Sequence, residues 1–363
     1  MITRFDVDGV PALFTRASGP MRAGLGFRVG IADETLPKSG ITHLLEHLAL
    51  HSAGMADYHY NGTTGLERTY FHTQGSPEDI VAFLAGVCAS LAAPPLDRLP
   101  AEKEILRTEA SSRGHRANEP MSVRRHGARD YGLSGFPEWG LAGITAEDLH
   151  AWAAYYFTRQ NAVLWVSGPA MPAGLRLTLR DGGRRPAPAP SSILPVRPAF
   201  FSGAAFSGTA GAVVWDATVR QEPAAEVFAD VLKRVMFRSL RQQGGLSYVV
   251  ETDYDPRDNG TALITAVADS LPDKQGAVLG GLIDVLAAMR IGRIDPADVT
   301  AVINQRVAAL EEAAERGGLL RGQALGLLAG RPVREPAEAV AETARSAAPT
   351  SRGWRRPRTR TDC

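Results

Sequence analysis

The segment ITHLLEHLALH, residues 41–51, carries side chains that bind and use metal ions. His43 and His47 stand four positions apart, so on a helix both imidazoles lie on one face and can reach one ion. Neutral imidazole and carboxylate are ligands that zinc prefers. Glu46 precedes His47 and would lie beside the ion, where it could accept a proton from a water molecule. The segment therefore predicts a catalytic zinc site.

Other interpretations of these histidines compete with a metal site. Histidines on an apolar helix are usually ordinary core or surface residues, and H-x-x-E-H is a short pattern. His47 and His51 form a second pair four positions apart, but no glutamate has the same relation to that pair. We therefore favour His43 and His47 as ligands and predict that His51 is not part of the site.

A catalytic zinc ion needs a third protein ligand and an open position. The segment LPAEKEILRTEASS, residues 99–112, offers Glu102 and Glu109, about two helical turns and about 10 Å apart on one face. Glu104 is rotated by about 140° from Glu109 and points elsewhere. One of the aligned pair can bind the metal while the other orients a histidine. A solvated, charged helix face is the alternative interpretation.

The bulk composition excludes several classes of function. The 363 residues are 44% hydrophobic and 22% charged, and 40 basic residues nearly balance 39 acidic ones. This balance gives no electrostatic reason to expect nucleic acid or an anionic membrane as a partner. No apolar run reaches the roughly 20 residues of a membrane span, and the N-terminus lacks the features of a secretory signal. Two cysteines exclude a disulfide framework, so we expect a cytoplasmic protein.

The elements that must position these residues form two similar halves. The order strand, helix, two strands, helix, helix occurs in the first half and recurs in the second, which predicts a duplicated α+β fold. In the second half the pattern predicts a strand at 246–254 and one long helix over residues 296–328. Residues 1–180 form the predicted N-terminal zinc-binding domain, 181–198 a Pro- and Gly-rich linker, and 199–345 the C-terminal domain. The second copy has no counterpart of H-x-x-E-H. Residues 346–363 are predicted to be a basic, disordered tail.

Several segments resemble the pitrilysin/insulinase zinc metallopeptidases, whose relatives include the mitochondrial processing peptidase. ETLPKSGITHLLEHL resembles their active-site helix, in which H-x-x-E-H, the inverzincin motif, inverts the order H-E-x-x-H. The resemblance implies two homologous domains, each a mixed or antiparallel β-sheet with packed helices, as in LuxS/processing-peptidase-like metallopeptidases. It implies one zinc ion per chain, held by His43, His47 and Glu109, with Glu46 as the base and Glu102 as a supporting carboxylate.

Two further segments share this resemblance. NGTTGLERTYFH resembles the strand beside the family's site, with Asn61 matching its asparagine, and that strand edge binds extended peptides by strand addition. SLRQQGGLSYVV resembles a block whose arginine and tyrosine reach the zinc site from the other domain, here Arg241 and Tyr248. Tyr248 would stabilise an oxyanion and Arg241 would hold a substrate carbonyl or carboxylate. The alternative interpretation of each residue considered alone is that Arg241 complements the dipole at a helix C-terminus and that Tyr248 is a core residue.

The expected function is a zinc-dependent endopeptidase that hydrolyses short or unfolded peptides. The main alternative is a non-catalytic or co-catalytic subunit of a heterodimeric peptidase, and a homodimer is also open. A structural zinc site is disfavoured, because such sites usually have four protein ligands. The chain between His47 and Glu109 is shorter than is usual for the family, by a helix after HLALHSAG. We expect this to widen the site or change what it admits.

Overall fold

The computed structural model describes residues 1–51, 59–112, 119–189, 204–209, 211–315 and 318–345. The chain forms two compact units. Unit 1 comprises Met1–His115, Ser122–Leu194 and Glu312–Pro336, and unit 2 comprises Arg116–Met121, Pro195–Glu311 and Ala337–Cys363. Each contains one β-sheet with packed helices, which confirms the predicted α+β class.

Unit 1 is built on a six-stranded mixed sheet. Its strands are β1 (Ile2–Val7), β2 (Val10–Arg16), β3 (Met21–Phe27), β4 (His59–Thr64), β5 (Thr69–Gly75) and β6 (Ala162–Gly168). They lie in the order β1-β2-β6-β3-β5-β4, and only the β2–β6 pair is parallel. Among the described residues β4 therefore ends the sheet and pairs on one side only.

The helices of unit 1 cover this sheet. They are α1 (Ile41–His51), α2 (Pro77–Ala92), α3 (Leu99–Ser112), α4 (Glu119–His126), which begins in the segment assigned to unit 2, and α5 (Ala146–Tyr156). In α1 the apolar residues Ile41, Leu44, Leu45 and Leu48 are buried in the main core. This packing fixes the orientation of the helix that carries the histidines.

The central strand β6 is covered on both faces of the sheet. All seven of its residues are buried, as expected for a strand covered on both sides. Leu164 and Val166 belong to the core that contains α1, whereas Val163 and Trp165 belong to a second cluster on the alternate positions of the strand.

Unit 2 has a four-stranded antiparallel sheet. Its strands are β7 (Ala204–Thr209), β8 (Ala212–Arg220), β9 (Val250–Pro256) and β10 (Thr261–Asp269), in the order β7-β8-β10-β9. Its helices are α6 (Pro223–Met236), which continues as a π-helical turn over Phe237–Gln243, α7 (Gln275–Arg290) and the greater part of α8 (Pro296–Glu315), whose end falls in unit 1.

The two units repeat the same chain path, as the sequence predicted. The run β3, α1, β4, β5, α2, α3 in unit 1 corresponds to β8, α6, β9, β10, α7, α8 in unit 2. The sheet orders β3-β5-β4 and β8-β10-β9 match as well. Helix α6 occupies the place of α1 but presents buried Val227, Val231 and Leu232 to its core. The candidate chemistry thus resides in one copy.

One segment lies in a different unit from the one its position in the chain suggested. The sequence predicted one long helix over residues 296–328 in the second domain, but α8 ends at Glu315 and α9 (Leu319–Leu328) belongs to unit 1. Helix α9 packs on the second apolar cluster of the sheet, formed by Leu13, Val163, Trp165, Leu320, Ala324, Leu325 and Leu328. Apolar spacing predicts that such a helix needs an apolar partner, but not which sheet supplies it.

Several predictions fall outside the described residues. These are the shortened stretch that follows the motif, where 52–58 are not described, residues 190–198 of the linker, and the basic tail at 346–363. Among the described helices, none alone is long and apolar enough to cross a membrane. Pro77–Ala92 and Leu96–Ser112 meet that test only as a pair bent by 78°.

Candidate metal centre

Helix α1 begins on a buried carboxylate. Glu34 accepts hydrogen bonds from the backbone N–H groups of Gly40, at 2.8 Å, and Thr42, at 2.9 Å. These are donors that a helix leaves unpaired at its N-terminus, and a negative charge there also complements the helix dipole. Burial raises the pKa of Glu34 to about 7, although both hydrogen bonds oppose this shift. Thr42 also accepts a hydrogen bond from Trp152, which ties α1 to α5.

The side chains of His43, His47 and Glu109 converge on one point. One ligand atom from each lies within 4.8 Å of the others. Oε2 of Glu109 is 3.8 Å from Nε2 of His43 and 3.5 Å from Nε2 of His47. The two imidazole rings are perpendicular, with centroids 4.8 Å apart. Helix α3 thus brings its carboxylate to the histidine pair of α1.

This cluster fits a zinc ion in its chemistry and its spacing. Two imidazole nitrogens and one carboxylate oxygen are the donor set of a common type of catalytic zinc site. Ligand atoms of a tetrahedral zinc ion with bonds near 2.1 Å are separated by roughly 3.4 Å, close to the observed contacts of Glu109. Three protein ligands leave one position for water or substrate.

Both histidines are oriented by a second carboxylate. Nδ1 of His47 is 3.3 Å from Oε2 of Glu102, and Nδ1 of His43 is 2.8 Å from Oε1 of Glu138. Arg98 lies 3.4 Å from the other oxygen of Glu102. Each Nδ1 therefore faces a carboxylate while each Nε2 faces Glu109, the arrangement that holds metal-binding imidazoles in the required tautomer.

Glu46 lies beside this cluster and is held by strand β4. Its Oε2 accepts a hydrogen bond of 2.7 Å from the hydroxyl of Thr64. A Cβ atom at Gly62 would come within 2.4 Å of Oε1 of Glu46, so the close approach of strand and carboxylate requires glycine at that position. Neither contact was evident from the sequence, because each depends on how β4 passes over α1.

Burial and neighbouring charges act in opposite directions on the pKa values of two groups in the cluster, Glu46 and His43. Burial raises the pKa of Glu46, against the charges of the two histidines and the Thr64 hydrogen bond, which lower it. For His43, burial lowers the pKa, but the hydrogen bond and charge of Glu138 outweigh this effect and raise it overall. For both groups the opposing effects leave the pKa above its ordinary value.

Asn61 lies on the edge strand β4 but is not directed at the cluster by any described contact. Its side-chain oxygen accepts a hydrogen bond from the backbone N–H of Gly62, at 2.9 Å. Side chains alternate across a strand, so Asn61 and Thr64 lie on opposite faces of β4. A role of Asn61 toward substrate remains a prediction.

Arg241 and Tyr248, in unit 2, contact each other. The guanidinium carbon of Arg241 lies 4.4 Å from the ring centroid of Tyr248 and 4.8 Å from that of Phe237. Arg241 is carried by the π-helical turn, a local structure that is frequent at functional sites. Tyr248 is not a core residue, since it is 72% exposed. Both groups are thus available at the surface of their unit.

One aspartate fixes the segment that carries Tyr248. Oδ1 of Asp269, at the end of β10, accepts hydrogen bonds from the hydroxyl of Ser247, at 2.7 Å, and from the backbone N–H groups of Tyr248, at 2.7 Å, and Val249, at 2.8 Å. Burial raises the pKa of Asp269, but these donors outweigh it and lower the pKa. These bonds precede β9, which begins at Val250 rather than at residue 246 as predicted.

No protein-family model matches this chain, and no curated protein matches it. Solved structures do. A protease from Helicobacter pylori matches with 16% identity and a TM-score of 0.75, over 96% of this chain and 95% of that one. The peptidase M16 inactive domain from Pseudomonas fluorescens matches with 12% identity and a TM-score of 0.75, over 96% and 92%. The fold is that of the M16 peptidases.

The pitrilysin/insulinase resemblance implied this same fold. At sequence identities of 12–16%, the structural similarity shows the fold alone. The ferredoxin protease FusC, in complex with Arabidopsis ferredoxin, matches with 16% identity and a TM-score of 0.66. That match covers 96% of this chain, which spans 44% of the FusC chain.

Proposed function

We propose that this chain is a zinc-dependent endopeptidase of the M16 type that hydrolyses short or unfolded peptides. The observation that carries the proposal is the meeting of His43, His47 and Glu109 within 4.8 Å, with Glu46 beside them. A zinc ion held by these three ligands would supply Lewis acidity toward a water molecule and a peptide carbonyl. The similarity to the fold of M16 peptidases supports this chemistry by analogy.

In this proposal Glu46 moves the proton. Oε2 already accepts the Thr64 hydrogen bond, so we assign proton transfer to Oε1, which lies against Gly62. The carboxylate accepts a proton from the attacking water and delivers it to the departing amine. Burial, which raises the pKa of Glu46, brings its basicity toward the working pH. Glu102 keeps His47 in the tautomer that presents Nε2.

Strand β4 supports the proposed substrate class. It is the last strand of its sheet in the described part of the chain and also carries Thr64, which holds Glu46. An extended peptide paired with this edge would lie next to the carboxylate. Folded proteins offer few free extended segments, so short or unfolded peptides are the proposed substrates. Asn61 on this strand, with Arg241 and Tyr248, would contact the substrate as the family resemblance implies.

The test combines metal analysis with peptide hydrolysis. The purified chain should contain about one zinc ion and cleave members of a peptide library. Glu46→Gln should keep the zinc and lose hydrolysis, because the amide cannot accept the proton. Glu104→Gln is the matched control, since Glu104 pairs with Arg107 on the exposed side of α3. Full turnover by Glu46→Gln would eliminate this mechanism.

A second candidate is a non-catalytic or co-catalytic subunit of a heterodimeric peptidase. The similarity to the Pseudomonas fluorescens inactive domain supports it, as does the 44% of FusC that this chain spans. The presence of the complete cluster in unit 1 argues for the active peptidase. Solution mass and hydrolysis should be measured with and without a co-expressed related chain; hydrolysis only in the mixture would support this candidate.

A further inference from the structure

Glu138 contacts one of the proposed zinc ligands, His43, but belongs to neither of the helices α1 and α3 that carry those ligands. It stands at the start of the short 3₁₀ turn Trp139–Gly143, and its Oε1 lies 2.8 Å from Nδ1 of His43. Its Oε2 is shielded from solvent and has no hydrogen-bond partner among the described residues. The carboxylate therefore interacts through one oxygen with a single imidazole.

The backbone holds Glu138 in this position independently of any metal. The N–H of Gly140 donates a hydrogen bond to the hydroxyl of Ser39, at 3.0 Å, just before α1 begins. Gly40 has a φ of +90°, and a Cβ atom there would lie 2.9 Å from Cβ of Glu138. The 3₁₀ turn and the start of α1 are thus packed too closely for a side chain between them. This support places the carboxylate before an ion arrives.

Glu138 determines which nitrogen of His43 is available. A carboxylate accepts a hydrogen bond, so it favours the tautomer in which Nδ1 carries the hydrogen and Nε2 keeps its lone pair. Nε2 is the atom that faces Glu109, 3.8 Å away. Glu102 has the same relation to His47, at 3.3 Å. The two ligands are thus prepared by two separate carboxylates, one from α3 and one from the 3₁₀ turn.

The free-energy cost of placing several carboxylates close together, one with an unpaired oxygen, favours a cation at this site. A shielded carboxylate oxygen without a partner is unfavourable, and like charges near it add to the cost. Glu102, Glu109 and Glu138 each lie within 3.5 Å of an imidazole nitrogen, and the charges of both imidazoles act on Glu46. A divalent cation at the Nε2 atoms would draw electron density from His43 and strengthen its hydrogen bond to Glu138.

We propose that Glu138 is a positioning residue that fixes the tautomer of His43 and thereby raises the affinity of the site for a divalent cation. This inference rests on the proposed zinc site. It assigns to a residue that belongs to neither ligand helix an effect on metal affinity of about the size expected for Glu102.

The test is zinc affinity of the full chain after metal removal, measured by competition with a chelator. Glu138→Gln, which keeps the shape and an acceptor but loses the charge, should weaken zinc binding roughly 10–100-fold. Glu138→Ala should weaken it at least as much. Glu104→Gln should stay within about twofold of the parent, since its side chain is 68% exposed and paired with Arg107.

Two further readouts separate this role from a merely structural one. A structural defect lowers the melting temperature of metal-free and zinc-loaded protein alike, whereas weaker binding reduces only the rise that zinc produces. In the parent, ¹⁵N shifts of His43 above its titration range should show the Nδ1–H tautomer, a measurement that needs no variant to fold. An Nε2–H tautomer, or parent-like zinc affinity in both Glu138 variants, would overturn the proposal.

The outcome for the parent distinguishes the two proposals. A parent that binds no zinc overturns the proposed function and this inference together. A parent that binds one zinc ion but cleaves no peptide removes the peptidase proposal and leaves the role of Glu138 to the affinity data. A parent that binds zinc and cleaves peptides, with variants of equal affinity, removes only the role of Glu138.

Discussion

The hydroxyl of Thr64 lies 2.7 Å from Oε2 of Glu46, so an edge strand holds the carboxylate proposed as the base. The hydrogen bond joins β4 to α1, two elements that also position substrate and metal in the proposed function. The strand and the helix that carries two of the proposed zinc ligands are therefore joined by one side-chain contact. Glycine at position 62 allows this approach, because any side chain there would meet Glu46.

Thr64→Val tests this contact with little change in shape. Loss of a hydrogen bond to a charged group corresponds to about 1.5–3 kcal/mol, so we expect kcat/KM to fall roughly 10–100-fold with zinc retained. The hydrogen bond lowers the pKa of Glu46, so its removal should raise that pKa and move the acidic limb of the pH–rate profile upward. Thr63→Val on the same strand is the control. An unmoved acidic limb would contradict the assignment of Glu46 as the base.

Gly62→Ala tests the closeness of β4 to Glu46. The added Cβ would lie 2.4 Å from Oε1, so either the carboxylate or the strand must shift. We expect loss of most peptide hydrolysis with about one zinc ion still bound, because the three proposed ligands come from α1 and α3. Gly143→Ala is the control, since nothing lies within 4 Å of the Cβ position there. Full activity in Gly62→Ala would show that Oε1 need not keep its observed place.

The sequence predicted the residues of the candidate centre that share one helix. Spacing alone placed His43 with His47 and Glu102 with Glu109, because helical periodicity is local. It did not predict Glu138, which is 95 positions from His43 in a segment without periodicity. Thr64 and Gly62 were likewise missed, since their contacts with Glu46 depend on tertiary packing.

Asn61 stands on the face of β4 opposite Thr64, and its proposed role toward substrate stays a prediction. One difference in the fold has a similar cause. Helix α9 was expected in the second domain, yet Leu320 packs with Val163 of unit 1. The α+β class and the repeated order of elements could be predicted, because they rest on local periodicity and on turn residues.

Glu34 should make the stability of the metal-free chain depend on pH. Its pKa is raised from 4.5 to about 7 in the folded state, so the folded chain binds more protons than the unfolded chain between these values. Its contribution to stability is thus fully present below about pH 4.5 and is lost as the pH rises through 7. The loss is at most about 3 kcal/mol, at 1.36 kcal/mol per pKa unit.

Unfolding of parent and Glu34→Gln between pH 5 and 8 measures this contribution. The variant has no charge to titrate, so the stability difference between the two proteins should change in favour of the variant as the pH rises. Taking the difference cancels other titrating groups, including His43 and Glu46. Parallel stability curves would show that Glu34 is ionised at pH 5 in the folded state.

Asp269→Asn tests whether an ordered Tyr248 matters for hydrolysis. Asp269 accepts three hydrogen bonds at one oxygen, and the neutral amide accepts them more weakly than the charged carboxylate. We expect faster hydrogen exchange at the amides of Tyr248 and Val249 and a fall in kcat/KM of about tenfold, roughly 1.4 kcal/mol. Zinc content should not change, because the proposed ligands belong to unit 1.

Asp273→Asn, at an exposed position near Lys274, is the control. Faster exchange at Tyr248 with undiminished kcat/KM would remove Tyr248 from the proposed mechanism, whereas unchanged exchange would show that the carboxylate charge does not order this segment.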